Sequence, residues 1–109
     1  MRAAVVLVLS TVSAFGQSGI ASKYGNENHQ WRTASGEAYR PWAEVTCAHR
    51  TARLGSHLRV VDLRTGKSVV CRVNDRGPFV RGRIVDLSFL AAARLGMKGT
   101  DPVSVSGVR

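Results

Sequence analysis

The sequence predicts an all-β fold, a compact barrel of short strands carrying one brief helix. Three observations lead there. β-branched runs recur at short spacing, glycine-containing turns separate them, and only one stretch has helical start and stop signals. A length of 109 residues allows one core and no second domain.

Taken in order, the chain begins MRAAVVLVLSTVSAFGQSG, with Arg2 ahead of an apolar run and small residues at Ala14 and Gly16. That is the order of a secretory leader, and it is too short and poorly flanked for a membrane span. A leader over residues 1–16 and a mature domain over 17–109 are expected; a buried first strand is the alternative. GIASKYG reads as a strand over 20–24 ended by Gly25. The stretch NENHQWRTASGEAYRPW is too rich in polar residues, Gly and Pro41 for a core element, and loops of that length are functional or disordered.

The middle of the chain is clearer. HLRVVDL and KSVVCRV flank RTG, which predicts a hairpin with strands over 58–63 and 68–73. VNDRGPF follows, where Gly77-Pro78 would stiffen the backbone after Asp75. RIVDL gives a further strand, and SFLAAARLGM a helix with Ser88 as N-cap and Gly96 as its stop. Leu87, Leu90, Ala91 and Leu95 would share its inner face while Arg94 meets solvent. A last strand is expected over 103–108, with Ser104 and Ser106 alternating.

The formal charge of +9 favours polyanionic partners such as nucleic acid, anionic lipid or the acidic polymers of a cell envelope. Export selects the last, and no nucleic-acid recognition motif is present. The two cysteines, Cys47 and Cys71, would pair in an oxidising compartment, stabilising the domain by about 3–4 kcal/mol in chain-entropy terms; otherwise they are two buried thiols.

No pair of His or Cys has metal-ligand spacing and there is no Gly-rich phosphate loop, so neither a metal nor a cofactor is expected. No serine has an evident base and orienting acid. The remaining chemistry is that of carboxylates: Glu37, Asp75 and Asp86 lie at strand ends or in the long loop. Such groups suit glycosidic cleavage, in which an acid protonates the leaving oxygen. Asp75 is the leading candidate, although an Asn-Asp pair is also a common turn former. Glu37 alone reads as a solvated loop acid, His49 as a substrate-orienting group or a locally satisfied histidine, and Asp86 as an acid at a helix start. Trp31, Tyr39 and Trp42 either stack on sugar rings or cover the barrel's end.

ASKYG, RTASGEAY, CAHRTARLGS and VVCRVNDRGPFVRGRIVDLSFLAAARLGM together resemble the rare lipoprotein A family, over nearly all of the mature chain. The resemblance implies a six-stranded double-psi β-barrel, the fold also used by expansins. It further implies a lytic transglycosylase that cuts peptidoglycan between N-acetylmuramic acid and N-acetylglucosamine, leaves 1,6-anhydro ends and prefers glycan stripped of stem peptides. It matches Asp75 and Glu37 to the functional acids and His49 to the functional histidine. Tyr24, Arg76 and Asp86 fall to substrate binding along the groove. A non-catalytic, expansin-like wall-binding module is the alternative.

The chain departs from the family in having Lys23-Tyr24 for a tyrosine pair and Ala52-Arg53-Leu54-Gly55 for an LPFG turn. With no cysteine after the leader, no lipid anchor is expected, and the reading is a soluble monomer in the periplasm or outside the cell. One objection arises from the motif itself. An acid beside a guanidinium ionises more readily, whereas a general acid must hold a proton. The mechanism therefore needs Arg76 turned away, or Glu37 close enough to Asp75 to split their titrations.

Overall fold

A computed structural model describes residues 16–25 and 31–109. The leader expected over 1–16 lies outside them except for Gly16. Six strands and one helix follow in order: β1 (Gln17–Lys23), β2 (Thr46–Ala48), β3 (His57–Asp62), β4 (Ser68–Asp75), β5 (Arg83–Leu87), α1 (Phe89–Leu95) and β6 (Asp101–Val108). They close into a barrel in the order β1-β5-β2-β4-β3-β6. β1 pairs with β5 and β2 with β4 in parallel, and the other four pairings are antiparallel. This is the double-psi barrel that the resemblance implied, with the predicted hairpin as β3–β4.

The barrel interior is filled by β-branched and small residues, among them Val60, Val73, Val85, Val103 and Val105, all fully buried. Strict alternation in β6, buried at Val103 and Val105 and half-buried at Ser104 and Ser106, is what a one-sided strand requires. A Cβ on Gly19 would lie 2.7 Å from the Ile84 side chain, so only glycine lets β1 and β5 approach there. Cys47 and Cys71 form a disulfide from β2 to β4 in the core, with Cα atoms 5.8 Å apart.

The helix has the expected caps. Ser88 Oγ accepts the Ala91 N–H, and Gly96 ends the helix at a left-handed φ of 79°. Its buried face is Ala91, Ala92 and Leu95, with Leu90 only half-buried, a rotation of about one residue from the predicted stripe. Strand boundaries also differ: β3 spans His57–Asp62 rather than 58–63, β4 runs on to Asp75, and β6 starts at Asp101. β1 starts at Gln17, three residues earlier than read. β2 was not read at all, because its three residues are buried on both faces and offer no alternation. Among the described residues no helix is long and apolar enough to cross a membrane.

Candidate active site

The unread strand organises the site. β2 lies between β4 and β5, and its last residue, Ala48, pairs with Asp75 on one side and Asp86 on the other. Strand spacing alone sets the two aspartate Cα atoms roughly 10 Å apart, on either side of one alanine. A bulge decides where the first one points. Along β2 and β4 the register runs from Cys47↔Val73 to Ala48↔Asp75, leaving Asn74 as the extra residue. Unbroken alternation from Cys71 and Val73, both inside the barrel, would carry Asp75 into the dry core. With the bulge, Asn74 is buried and Asp75 emerges half-buried at the rim.

There Asp75 lines a groove of about 460 Å³ together with Asp86, Tyr24, Trp31, Lys23, Ser22, Arg83 and the segment from Arg76 to Val80. Both its oxygens accept hydrogen bonds from neutral donors: Tyr24 Oη at 2.7 Å on Oδ2, and the Ala34 N–H at 2.9 Å on Oδ1. Burial first, then the bond to Asp75, holds the Tyr24 phenol far above its usual range, so it is a donor throughout. Asp86 Oδ1 accepts Ser22 Oγ at 2.8 Å. Its carboxyl is pushed up by burial and, more weakly, by the charge of Asp75, while Ser22 and Arg83 pull the other way.

Arg76, next to Asp75 in sequence, is turned away. Its Nη1 donates to the His49 carbonyl at 3.0 Å and the Ala52 carbonyl at 2.6 Å. The first of the two solutions to the objection above is therefore the one adopted. Glu37 takes no part in the groove lining. It is held in a two-pronged ion pair with Arg72, both contacts 2.8 Å, with Ser35 Oγ donating to it at 2.8 Å; Arg72 also reaches Glu44. Arg72 first, and then Ser35, lower its pKa to about 2. The fork ties the 31–38 loop to β4, and the same loop delivers the Ala34 N–H to Asp75. His49 lies in an adjoining pocket with Gln17, Arg50 and Arg83 rather than in the Asp75 groove.

These features coincide with a family. The model of the lytic transglycolase family matches residues 16–107. The chain belongs to that family. Its relatives include the endolytic peptidoglycan transglycosylase RlpA of Pseudomonas aeruginosa PAO1, 46% identical over 102 residues that make up 92% of this chain and 30% of the relative. RlpA of Neisseria meningitidis serogroup B is 44% identical over 99 residues, 89% and 41% of the respective chains. The chain thus spans less than half the length of these curated relatives.

Two solved structures share the fold. A Streptomyces papain inhibitor has a TM-score of 0.65 at 20% identity, covering 86% of this chain and 94% of that one. A mutant Clavibacter michiganensis expansin in complex with cellohexaose has a TM-score of 0.63 at 23% identity, covering 86% and 50%.

Within this lytic transglycolase barrel the three aromatics named from the sequence have different places. Tyr39 is buried, its Oη donating to the Gly25 carbonyl, and it stacks under Trp31 with centroids 5.0 Å apart. Trp31 stands half-buried in the groove wall, edge-on to Tyr24. Trp42 is 60% exposed outside it, against Phe89. Sequence reasoning missed Phe79, which is 76% exposed and lines the same groove as Trp31. Its signal was present: a large aromatic directly after a Gly-Pro turn, where no core contact is within reach. The Gly77-Pro78 bond is cis. Arg50 fastens the same loop, donating to the carbonyls of Pro78 at 2.6 Å and Val80 at 3.2 Å.

Proposed function

We propose that this domain is a peptidoglycan lytic transglycosylase that acts outside the inner membrane, with Asp75 as its acid and base. The observation that carries the reading is the pair of carboxyls flanking Ala48 in an open, aromatic-walled groove. Family membership and the RlpA relatives support the reaction class, and the disulfide supports an oxidising compartment.

In this mechanism protonated Asp75 gives its proton to the glycosidic oxygen as the bond to the muramic anomeric carbon breaks. The muramic 6-hydroxyl oxygen then closes on that carbon, and the Asp75 carboxylate takes its proton, restoring the acid without water. Tyr24 and the Ala34 N–H fix the carboxyl throughout. Asp86 supplies a second carboxyl facing the sugar. Glu37 enters through the loop it anchors, because the Arg72 fork sets the place of Ala34. Sugar rings pack on the exposed faces of Trp31 and Phe79. Lys23 and Arg83 suit the free lactyl carboxylate that stem removal exposes, which favours stripped glycan.

The test is mass spectrometry of products from purified sacculi, intact and stripped of stem peptides. Soluble anhydro-muramic products from the wild type but not from Asp75→Asn are expected. An Asp75→Asn protein that releases them at the wild-type rate would refute the assignment. A second reading, a wall-binding module without chemistry, draws on the exposed Phe79 and Trp42 and on the expansin found with cellohexaose. Retention on sacculi with no soluble product would favour it.

A further inference from the structure

His49 follows Ala48, the residue between the two aspartates, and its imidazole is committed at both nitrogens. Nδ1 accepts two backbone N–H groups, from Thr51 at 3.1 Å and Ala52 at 3.0 Å. A nitrogen that accepts twice carries no proton, so the hydrogen sits on Nε2, which donates to Gln17 Oε1 at 3.0 Å. Burial, then the charges of Arg76 and Arg50, keep the ring below its usual titration range. The residue is buried in this role, with 3% of it exposed.

The turn that the ring closes is the fixture on which Asp75 hangs. The His49 N–H donates to the Asp75 carbonyl at 3.2 Å. The carbonyls at the two ends of the turn, His49 and Ala52, receive the Arg76 guanidinium. The backbone of Asp75 and the side chain of its neighbour are therefore both fastened to residues 49–52. Removing the Nδ1 acceptor leaves two N–H groups without a partner and releases both ties at once.

We propose that His49 is a positioning residue, a neutral acceptor that holds the 49–52 turn and through it aims Asp75 into the groove, without touching the sugar or moving a proton. The inference rests on the activity proposed for Asp75.

Three variants separate this role from others. His49→Asn keeps an acceptor oxygen at the δ1 place and can close the turn as asparagine does in Asx turns. His49→Gln carries it one bond too far, and His49→Ala has none. Expected is a kcat within about threefold of wild type for Asn, and a loss of about 10²-fold for Gln and Ala, with KM within about threefold in all. An Asn variant as inactive as Ala, or a fully active Ala variant, overturns the proposal.

Should a variant fail to fold, the wild type carries its own test. Nitrogen NMR of the labelled imidazole is expected to read a bare Nδ1 and a protonated Nε2 at neutral pH. The opposite tautomer, or a charged ring, overturns the proposal. Failure of the activity reading is told apart by an active Asp75→Asn protein in which the tautomer is nonetheless as described.

Discussion

The same three letters, VDL, stand where two strands of this barrel end, and they meet two different fates. At the end of β3 the run is Val61-Asp62, with Leu63 just past the strand, and Asp62 points inward with no exposure. In β5 it is Val85-Asp86-Leu87, where Val85 and Leu87 are buried and Asp86 faces the groove. The phase of each strand against its neighbours, not the local sequence, decides which face the acid takes. Its partners follow. Asp62 shares Arg64 with a second buried acid, Asp101: the Arg64 N–H is 2.8 Å from Asp62 Oδ1 and its Nη2 is 2.7 Å from Asp101 Oδ2. Burial opposes ionisation of Asp62, but its contacts with Asp101 and Arg64 outweigh that and hold it below the usual range. Asp101 is raised, by burial and then by Asp62.

Among the described residues the groove acids receive no such cation clamp. Asp75 and Asp86 take hydrogen bonds from a phenol, a backbone amide and a serine, and the arginine next to Asp75 is spent on carbonyls. Arginine closes an acid where the fold needs a lock, and neutral donors orient an acid that must exchange a proton. The sharpest way to break this contrast is to neutralise one acid from each region. Asp75→Asn is expected to lower anhydro-product formation by about 10²–10⁴-fold while leaving the melting temperature near that of wild type. Kinetics and a thermal scan on the same preparation check it. A large loss of stability would mean that Asp75 belongs with the locks.

Asp62→Ala should do the reverse. It leaves Arg64 and Asp101 without their buried partner, and melting is expected to fall by at least about 4 °C, the shift produced by 1 kcal/mol in a domain of this size. The fraction that remains folded should keep its kcat. Calorimetry with an active-site titration separates the two quantities.

Such a division could be read from the sequence only in part. The hairpin, the β5 strand and the helix with Ser88 and Gly96 were legible because each is written in local turn and cap chemistry. β2 was not, since three doubly buried residues carry no period, and with it went the reason why Asp75 and Asp86 stand together. Glu37 was placed among the acids without its partner, because Arg72 lies 35 residues away and meets it only through closure of the barrel. The Asp62 and Asp101 pair gave no signal at all: each is an ordinary strand-end acid until β3 and β6 bring them to one arginine. Asp75 was named from its motif, yet the bulge at Asn74 that turns it outward is a property of the β2–β4 register.

The Glu37 fork tests the lock on the groove's own margin. Because Arg72 and Ser35 hold Glu37 at about 2, below its ordinary 4.5, its contribution to stability is complete above about pH 4.5 and is lost as pH falls towards 2. Glu37→Gln should therefore melt below wild type at pH 6, by less than Asp62→Ala because both partners are partly exposed, and the two curves should meet near pH 2. A gap that persists at that pH would assign the loss to packing rather than charge.

The smallest effect probes the two groove acids against each other. Asp86 titrates high, chiefly through burial and in part through the charge of Asp75, so its native value lies above the unfolded one. Its contribution to stability is then present at low pH and disappears as pH rises through the native value. Asp86→Asn should accordingly be neutral or slightly stabilising at pH 7 and cost stability only in acid. Asp75→Asn removes one of the raising charges, so the Asp86 midpoint should move down while staying above the ordinary range, since burial remains. Carbon-detected NMR of the Asp86 carboxyl across pH reads both. An unmoved midpoint would mean that the two carboxyls do not sense each other, and the groove would then hold one working acid and a spectator rather than a pair.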